Sequence, residues 1–217
     1  DVLRRMANRD ERRTEANIQS DLHTLLLTAS LQLEEANIEE LEVVLEQQAG
    51  ARRRIDVEAG LCVFEVKRDL RKGNVRDDAV AQLAGYVALR SQAMNQRYVG
   101  VLTDGAEWHL YAHSGQALSL VSSFLVDSSK PDVEGLTIWL EGVLATTQKI
   151  LPTPKEIDQR LGSSSPGHKL DRTELTALYK QHQSLPSIQL KRELWARLLT
   201  TAFGTPFQDT DELFIEH

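Results

Sequence analysis

Asp56, Glu65 and Lys67 are the residues whose types and spacing could do chemistry. Glu65 and Lys67 stand two apart in the apolar run Leu61-Cys62-Val63-Phe64-Glu65-Val66-Lys67, so in an extended chain both point to one face. In the segment 53–58, alternation puts Ile55 and Val57 on one face and Arg54, Asp56 and Glu58 on the other. A two-residue turn at Ala59-Gly60 would oppose Glu58 to Leu61 and Asp56 to Val63. Glu65 is then the diagonal same-face neighbour of Asp56, about 7–8 Å away by Cα. Two carboxylates so placed can share one ion. They lie in segments that otherwise read as buried, where a carboxylate is costly unless it is paired or binds a metal. A Glu-x-Lys triplet also arises as an ordinary solvent-facing charge cluster. The assembly adds weight, because Glu15 stands on a helix before these strands and Gln82 and Tyr86 on a helix after them.

Those elements follow from periodicity. Ile18, Leu22, Leu25 and Leu26 fall at helical spacing over 14–30, with Thr14 as N-cap. Extended runs cover 41–47, 53–58 and 61–67. Val80, Leu83, Ala84 and Val87 mark a helix over 77–95, on which Gln82 and Tyr86, four apart, share a face. Strands follow at 97–103, 107–112 and 117–124, with turns at Asp104-Gly105 and Ser114-Gly115, then a helix over 133–147. This order predicts an α/β fold, a mixed central sheet flanked by helices, in a domain spanning 1–150. Three prolines and Ser163-Ser164-Ser165 make 151–170 read as a linker. Helices over 171–183 and 187–202 form a small helical appendage, 171–217, whose Leu194, Trp195, Leu198 and Leu199 make an apolar surface in search of a partner.

The 217 residues, 41% hydrophobic and 26% charged, have an ordinary globular composition, with no apolar run long enough for a membrane span. A lone cysteine, Cys62, makes no internal disulfide and no zinc finger, and reads as a buried small hydrophobe. With no secretory leader in view, the expected setting is cytoplasmic. The net charge of −7 argues against a general nucleic-acid binder, but residues 51–76 hold eight basic and four acidic side chains. Arg52, Arg54, Arg68, Arg71, Lys72 and Arg76 in that stretch are the expected phosphate-backbone contacts. The histidines show neither metal-ligand spacing nor a paired nucleophile, and Trp108 and Tyr111 read as sheet packing.

Ile55-Asp56, then Glu65-Val66-Lys67, then Gln82-Leu83-Ala84-Gly85-Tyr86 resembles the PD-(D/E)XK nuclease superfamily and the Q-x-x-x-Y motif of its RecB-like branch. Ile55 stands where the consensus has proline. With Phe64 ahead of Glu65, and with Val101-Leu102-Thr103-Asp104-Gly105, the chain is similar over roughly residues 10 to 125 to the N-terminal nuclease domain of restriction-modification enzymes fused to an N6-adenine DNA methyltransferase. The resemblance implies a restriction-endonuclease-like fold and an Mg²⁺-dependent endonuclease that hydrolyses phosphodiester bonds of double-stranded DNA. It makes Asp56 and Glu65 metal ligands, joined by the Val66 carbonyl and by Glu15. It places Lys67 near the scissile phosphate and gives Gln82 and Tyr86 supporting roles. Methyltransferase and specificity domains would lie in the same polypeptide, reached through 209–217, and a second copy would serve double-strand cleavage. Two other readings fit the same residues: a noncatalytic docking module on the nuclease fold, and a repair or recombination exonuclease. No base-reading helix is evident, so the recognition sequence is not legible.

Overall fold

The computed structural model describes residues 2–9, 12–28, 43–48, 54–114, 117–144, 152–203 and 209–217. Two helices open the chain, α1 (Val2–Ala7) and α2 (Glu15–Thr28). The apolar stripe of α2 is buried at Ile18, Leu22, Leu25 and Leu26, and Thr14 caps the helix, its Oγ1 accepting from the Asn17 N–H at 3.3 Å. Three strands follow, β1 (Val43–Gln48), β2 (Arg54–Ala59) and β3 (Cys62–Val66), then helix α3 (Val75–Met94). Strands β4 (Val99–Thr103), β5 (Glu107–Ser114) and β6 (Ala117–Leu125) and helix α4 (Val133–Leu144) come next. Residues 41–42 and 145–150, at the edges of an expected strand and helix, lie outside the described residues.

Among the described residues the sheet has six strands in the order β1-β2-β3-β4-β5-β6. Every neighbouring pair is antiparallel except β3 and β4, which run parallel because α3 carries the chain back between them. The fold is thus α/β with a mixed sheet flanked by helices, α2 packing on β1 to β3 and α3 on β3, β4 and β6. Ile55, Val63 and Leu102 of the strands pack with Ala79, Leu83, Tyr86 and Val87 of α3 in one buried cluster.

The β2–β3 turn differs from the expected one. Ala59 pairs with Cys62 and Glu58 with Val63, so the turn residues are Gly60 and Leu61, not Ala59 and Gly60. Gly60 has φ +55°, the glycine-first pattern of a II′ hairpin turn, whose twist suits the flanking strands. The one-residue change carries Asp56, one step beyond the Val57–Phe64 pair, from the diagonal of Glu65 to a position straight across from it.

The stretch expected to be a linker contains α5 (Pro154–Leu161). Thr153 caps it, accepting from the Glu156 N–H, and Pro154 at the first helical position needs no hydrogen-bond acceptor, so the proline that reads as a breaker acts as a starter. The remaining helices are α6 (Pro166–His182), α7 (Pro186–Phe203) and α8 (Asp211–Glu216). The chain divides into two compact units, Asp1–Lys169 and Leu170–His217. In the second, Phe214 of α8 packs edge-on against Tyr179 and Trp195, ring centroids 5.6 and 5.3 Å away. Arg192 lies 5.0 Å over Trp195 and pairs with Asp211 at 3.0 Å. Among the described residues no helix is long and apolar enough to cross a membrane.

Candidate active site

The expected residues converge around the end of β3. Val66 bonds not to β2 backbone but to a side chain: its N–H donates to Asp56 Oδ2 at 2.7 Å. The Lys67 N–H, one residue on, donates to the Thr103 carbonyl at 2.9 Å, which keeps the segment on β4. Asp56 therefore sits at the point where the β2–β3 ladder gives way to a carboxylate, facing Glu65.

Glu65 is fully buried. Its Oε1 accepts from the Lys67 ammonium, while Oε2 is buried with no hydrogen-bond partner. Burial raises the Glu65 pKa to about 7, and the charges of Asp56 and Glu15 push the same way, against the pull of Lys67. For Lys67 the burial cost is outweighed by the Glu65 ion pair and by Glu15 and Asp56, so its ammonium is held above the ordinary lysine range.

The supporting residues form a chain behind Lys67. Its Nζ donates to Gln82 Oε1 at 3.4 Å, and Gln82 Nε2 donates to Tyr86 Oη at 2.9 Å. The donor-only ammonium takes the amide oxygen, which leaves the Gln82 NH₂ for the tyrosine hydroxyl. Glu15, at the first turn of α2, accepts the Arg68 N–H on Oε1 at 3.3 Å, so the helix start is tied to the residue after Lys67. Asp56, Glu65, Lys67, Glu15, Gln82 and Tyr86 are thus one connected group. Glu58, on the same face of β2, belongs elsewhere: Arg90 Nε and the Tyr98 hydroxyl each meet its Oε1 at 3.0 Å.

The donor set suits a hard divalent cation. Lys67 pairs with Glu65 and feels the charges of Glu15 and Asp56, and Glu65 Oε2 is a buried acceptor with its hydrogen-bonding capacity unspent. Among the described residues no three histidine, cysteine or acidic side chains converge into a ready-made chelate. Mg²⁺ does not require one, since it is commonly held by one or two carboxylates, with waters and substrate phosphate completing its octahedron. The residues therefore fit the ion.

The basic residues are less free than their number suggests. Arg52 and the side chain of Arg54 lie outside the described residues. Arg71 forks onto Asp69, with both Nε–Oδ1 and Nη2–Oδ2 at 3.0 Å, which lowers the Asp69 pKa to about 2. Arg76 pairs with Glu107. Arg68 and Lys72 are exposed on the loop after Lys67.

Sequence reasoning missed the network that braces this loop. Fully buried Asp104 accepts Arg9 Nε at 3.0 Å and the Leu70 N–H at 3.1 Å on Oδ2. Its Oδ1 accepts the Ala106 and Glu107 N–H groups at 3.0 and 2.8 Å. The Asp104-Gly105 turn signal was visible, but a partner in Arg9, ninety-five residues away, leaves no local trace. In sequence His109 has no paired nucleophile beside it. Across the β5–β6 register its Nδ1 lies 2.9 Å from Ser123 Oγ and its Nε2 3.1 Å from Glu107. Glu107 is shared with Arg9 and Arg76, which makes this trio part of the same bracing network. No family model, curated protein or solved structure matches the chain.

Proposed function

We propose that the chain is an Mg²⁺-dependent endodeoxyribonuclease of the PD-(D/E)XK type, acting on double-stranded DNA in a cytoplasmic setting as the nuclease part of a restriction-modification polypeptide. The observation that carries the reading is the convergence of Asp56, Glu65 and Lys67 at one strand end, with Glu15 and Gln82 attached to the same group. Asp56, Glu65 and the Val66 carbonyl would hold the ion, with Glu15 reaching it directly or through water. When bound, the ion supplies charge neutralisation at the phosphoryl oxygen and an activated water. Ionised Glu65 is required for that role, so its raised pKa makes ion binding compete with a proton. Lys67 offers its ammonium to the charge that develops on the phosphate, and Gln82, itself oriented by Tyr86, keeps that ammonium from collapsing wholly onto Glu65. Arg68 and Lys72, both exposed on the loop after Lys67, would meet the DNA backbone.

Nicking of supercoiled plasmid by the full chain tests this. Wild type is expected to nick with Mg²⁺ and to stop with EDTA, while Asp56→Ala and Lys67→Ala, shown folded by circular dichroism, each lose at least about a hundredfold in rate. Undiminished nicking by either variant sinks the assignment. Cleavage confined to linear DNA would replace an endonuclease with an exonuclease, and Mg²⁺-independent DNA binding without cleavage would leave a docking module.

A further inference from the structure

Antiparallel pairing of β5 and β6 sets His109 opposite Ser123, and Glu107, two residues before His109, shares its face of the sheet. His109 Nδ1 lies 2.9 Å from Ser123 Oγ, and Nε2 lies 3.1 Å from Glu107 Oε2. Arg9 and Arg76 fix that carboxylate from other sides. Burial pushes the Glu107 pKa up, but hydrogen bonds from His109 and Arg9 and the charges of both arginines outweigh it and hold the group below its ordinary range. An ionised carboxylate only accepts. The proton of neutral His109 therefore sits on Nε2, and Nδ1 is left to accept the Ser123 hydroxyl proton. His109 is buried while Ser123 is exposed, so a shielded base stands behind a reachable hydroxyl.

Strand β6 supplies the surroundings. Leu110 pairs with Ser122 but Tyr111 with Leu120, so Val121 is the extra residue of a bulge, a device that re-aims side chains beside it. Leu120, Ser123 and Leu125, opposite Tyr111, His109 and Glu107, consequently share one face, where the two leucines are 55% and 70% exposed. The backbone adds a donor. The Val126 N–H donates to the Ala106 carbonyl at 2.8 Å, which makes those residues a hydrogen-bonded pair. Such pairs alternate along an antiparallel ladder, so His109 and Ser123, three steps on, form a non-hydrogen-bonded pair. The Ser123 N–H thus points away from β5, toward the outer edge of β6, which is the last strand of the sheet among the described residues. A carbonyl attacked by Ser123 Oγ meets that N–H as a donor for its developing oxyanion.

We infer that Ser123 is the nucleophile of a second site, an acyl-transfer site for carboxylic esters with an apolar acyl group, with His109 as base and Glu107 as the group that orients it. Ser123 Oγ attacks the carbonyl carbon as His109 Nδ1 takes its proton, and the imidazolium returns that proton to the leaving alcohol as the ester C–O bond breaks. Water, deprotonated by the same nitrogen, then hydrolyses the acyl-serine to the acid and restores the hydroxyl. Leu120 and Leu125 flank the hydroxyl and receive the acyl chain. The site is independent of the nuclease reading, since none of its residues belongs to the group around Glu65.

Hydrolysis of p-nitrophenyl butyrate by the full chain in EDTA tests it, with a fluorophosphonate as the covalent probe. Wild type is expected to turn over the ester and to take up one fluorophosphonate adduct, located on Ser123 by peptide mass. Ser123→Ala, a change at an exposed position, should lose the adduct and at least about a hundredfold in turnover. Leu125→Asn should raise KM for the butyrate several-fold over that for the acetate and leave kcat near wild type. Equal turnover by wild type and Ser123→Ala, or an adduct only on other residues, overturns the proposal, and an unchanged preference between the two esters in Leu125→Asn overturns its apolar acyl subsite.

Discussion

Burial of Glu65 opposite Asp56 makes its proton the variable on which the candidate site turns. The folded chain holds that proton up to about pH 7, whereas the unfolded chain releases it near the ordinary value of 4.5. A raised carboxyl pKa therefore costs stability as pH climbs from about 4.5 to 7, with the full cost present above that window and none below it. Lys67 runs the other way: its raised pKa contributes stability at neutral pH that is lost only as the ammonium deprotonates in strong base. Glu65→Gln is expected to leave the melting temperature near that of wild type at pH 5 and to exceed it clearly at pH 8. Parallel pH profiles for the two proteins would show that Glu65 ionises as an ordinary surface carboxylate does. The same linkage predicts that Mg²⁺ affinity, measured by calorimetry on the unmodified chain, rises by several-fold between pH 6 and 7.5, because the ion must displace the proton.

At the scale of elements, the start of the chain and the β4–β5 turn stabilise each other. Gly105 has φ +84°, and a Cβ added there would lie 2.1 Å from the Met6 carbonyl oxygen. The turn thus approaches α1 as closely as only glycine allows, while Arg9 and Asp104 clamp the same junction and hold Leu70, three residues past Lys67. Asp104→Ala removes a fully buried carboxylate that four N–H donors share, so a loss of about 3–5 kcal/mol is expected from urea unfolding. A loss under about 1 kcal/mol would mean that those donors find other partners. How much of this was legible depends on range. Alternation in 53–67, the helical stripe of α3 and the Glu-x-Lys spacing are local signals, and the side chains they single out, Asp56, Glu65, Lys67, Gln82 and Tyr86, lie together in the fold. The hairpin register was misread by one residue because Ala59-Gly60 and Gly60-Leu61 both read as turns, and only the positive φ of Gly60 at the first turn position decides between them. Helix α1, with six residues, is too short to carry a periodic signal, and its place depends on Gly105 and Arg9, contacts that no window of sequence contains. Thr153 and Pro154 fit a loop as well as a helix start, and the structure has the pair starting α5.

At the scale of the whole molecule, the question is where the first unit stops. Periodicity alone ends it near residue 150, but the compact unit runs to Lys169. The extra residues have work to do, because α5 packs on α4, Ser165 and Pro166 are buried, and a Cβ on Gly142 of α4 would lie 3.1 Å from the Pro166 ring. Helix α4 in turn buries Leu136, Trp139, Leu140 and Val143, so stripping its cover should loosen it on the sheet. Fragments 1–169 and 1–150 separate the two boundaries. Both contain Trp108 and Trp139, buried reporters in the first unit, and both lack Trp195, so their fluorescence follows one unit only. Fragment 1–169 is expected to unfold at the same urea midpoint as the first unit within the full chain and to keep whatever Mg²⁺-dependent nicking the full chain has, since every residue of the candidate site lies within it. Fragment 1–150 is expected to lose about 1–3 kcal/mol, read as a lower midpoint at unchanged slope. Equal midpoints for the two fragments would make α5 and Pro166 an appendage and return the boundary to residue 150, whereas a lower slope for 1–150 would mean that α4 has already left the sheet before the rest unfolds.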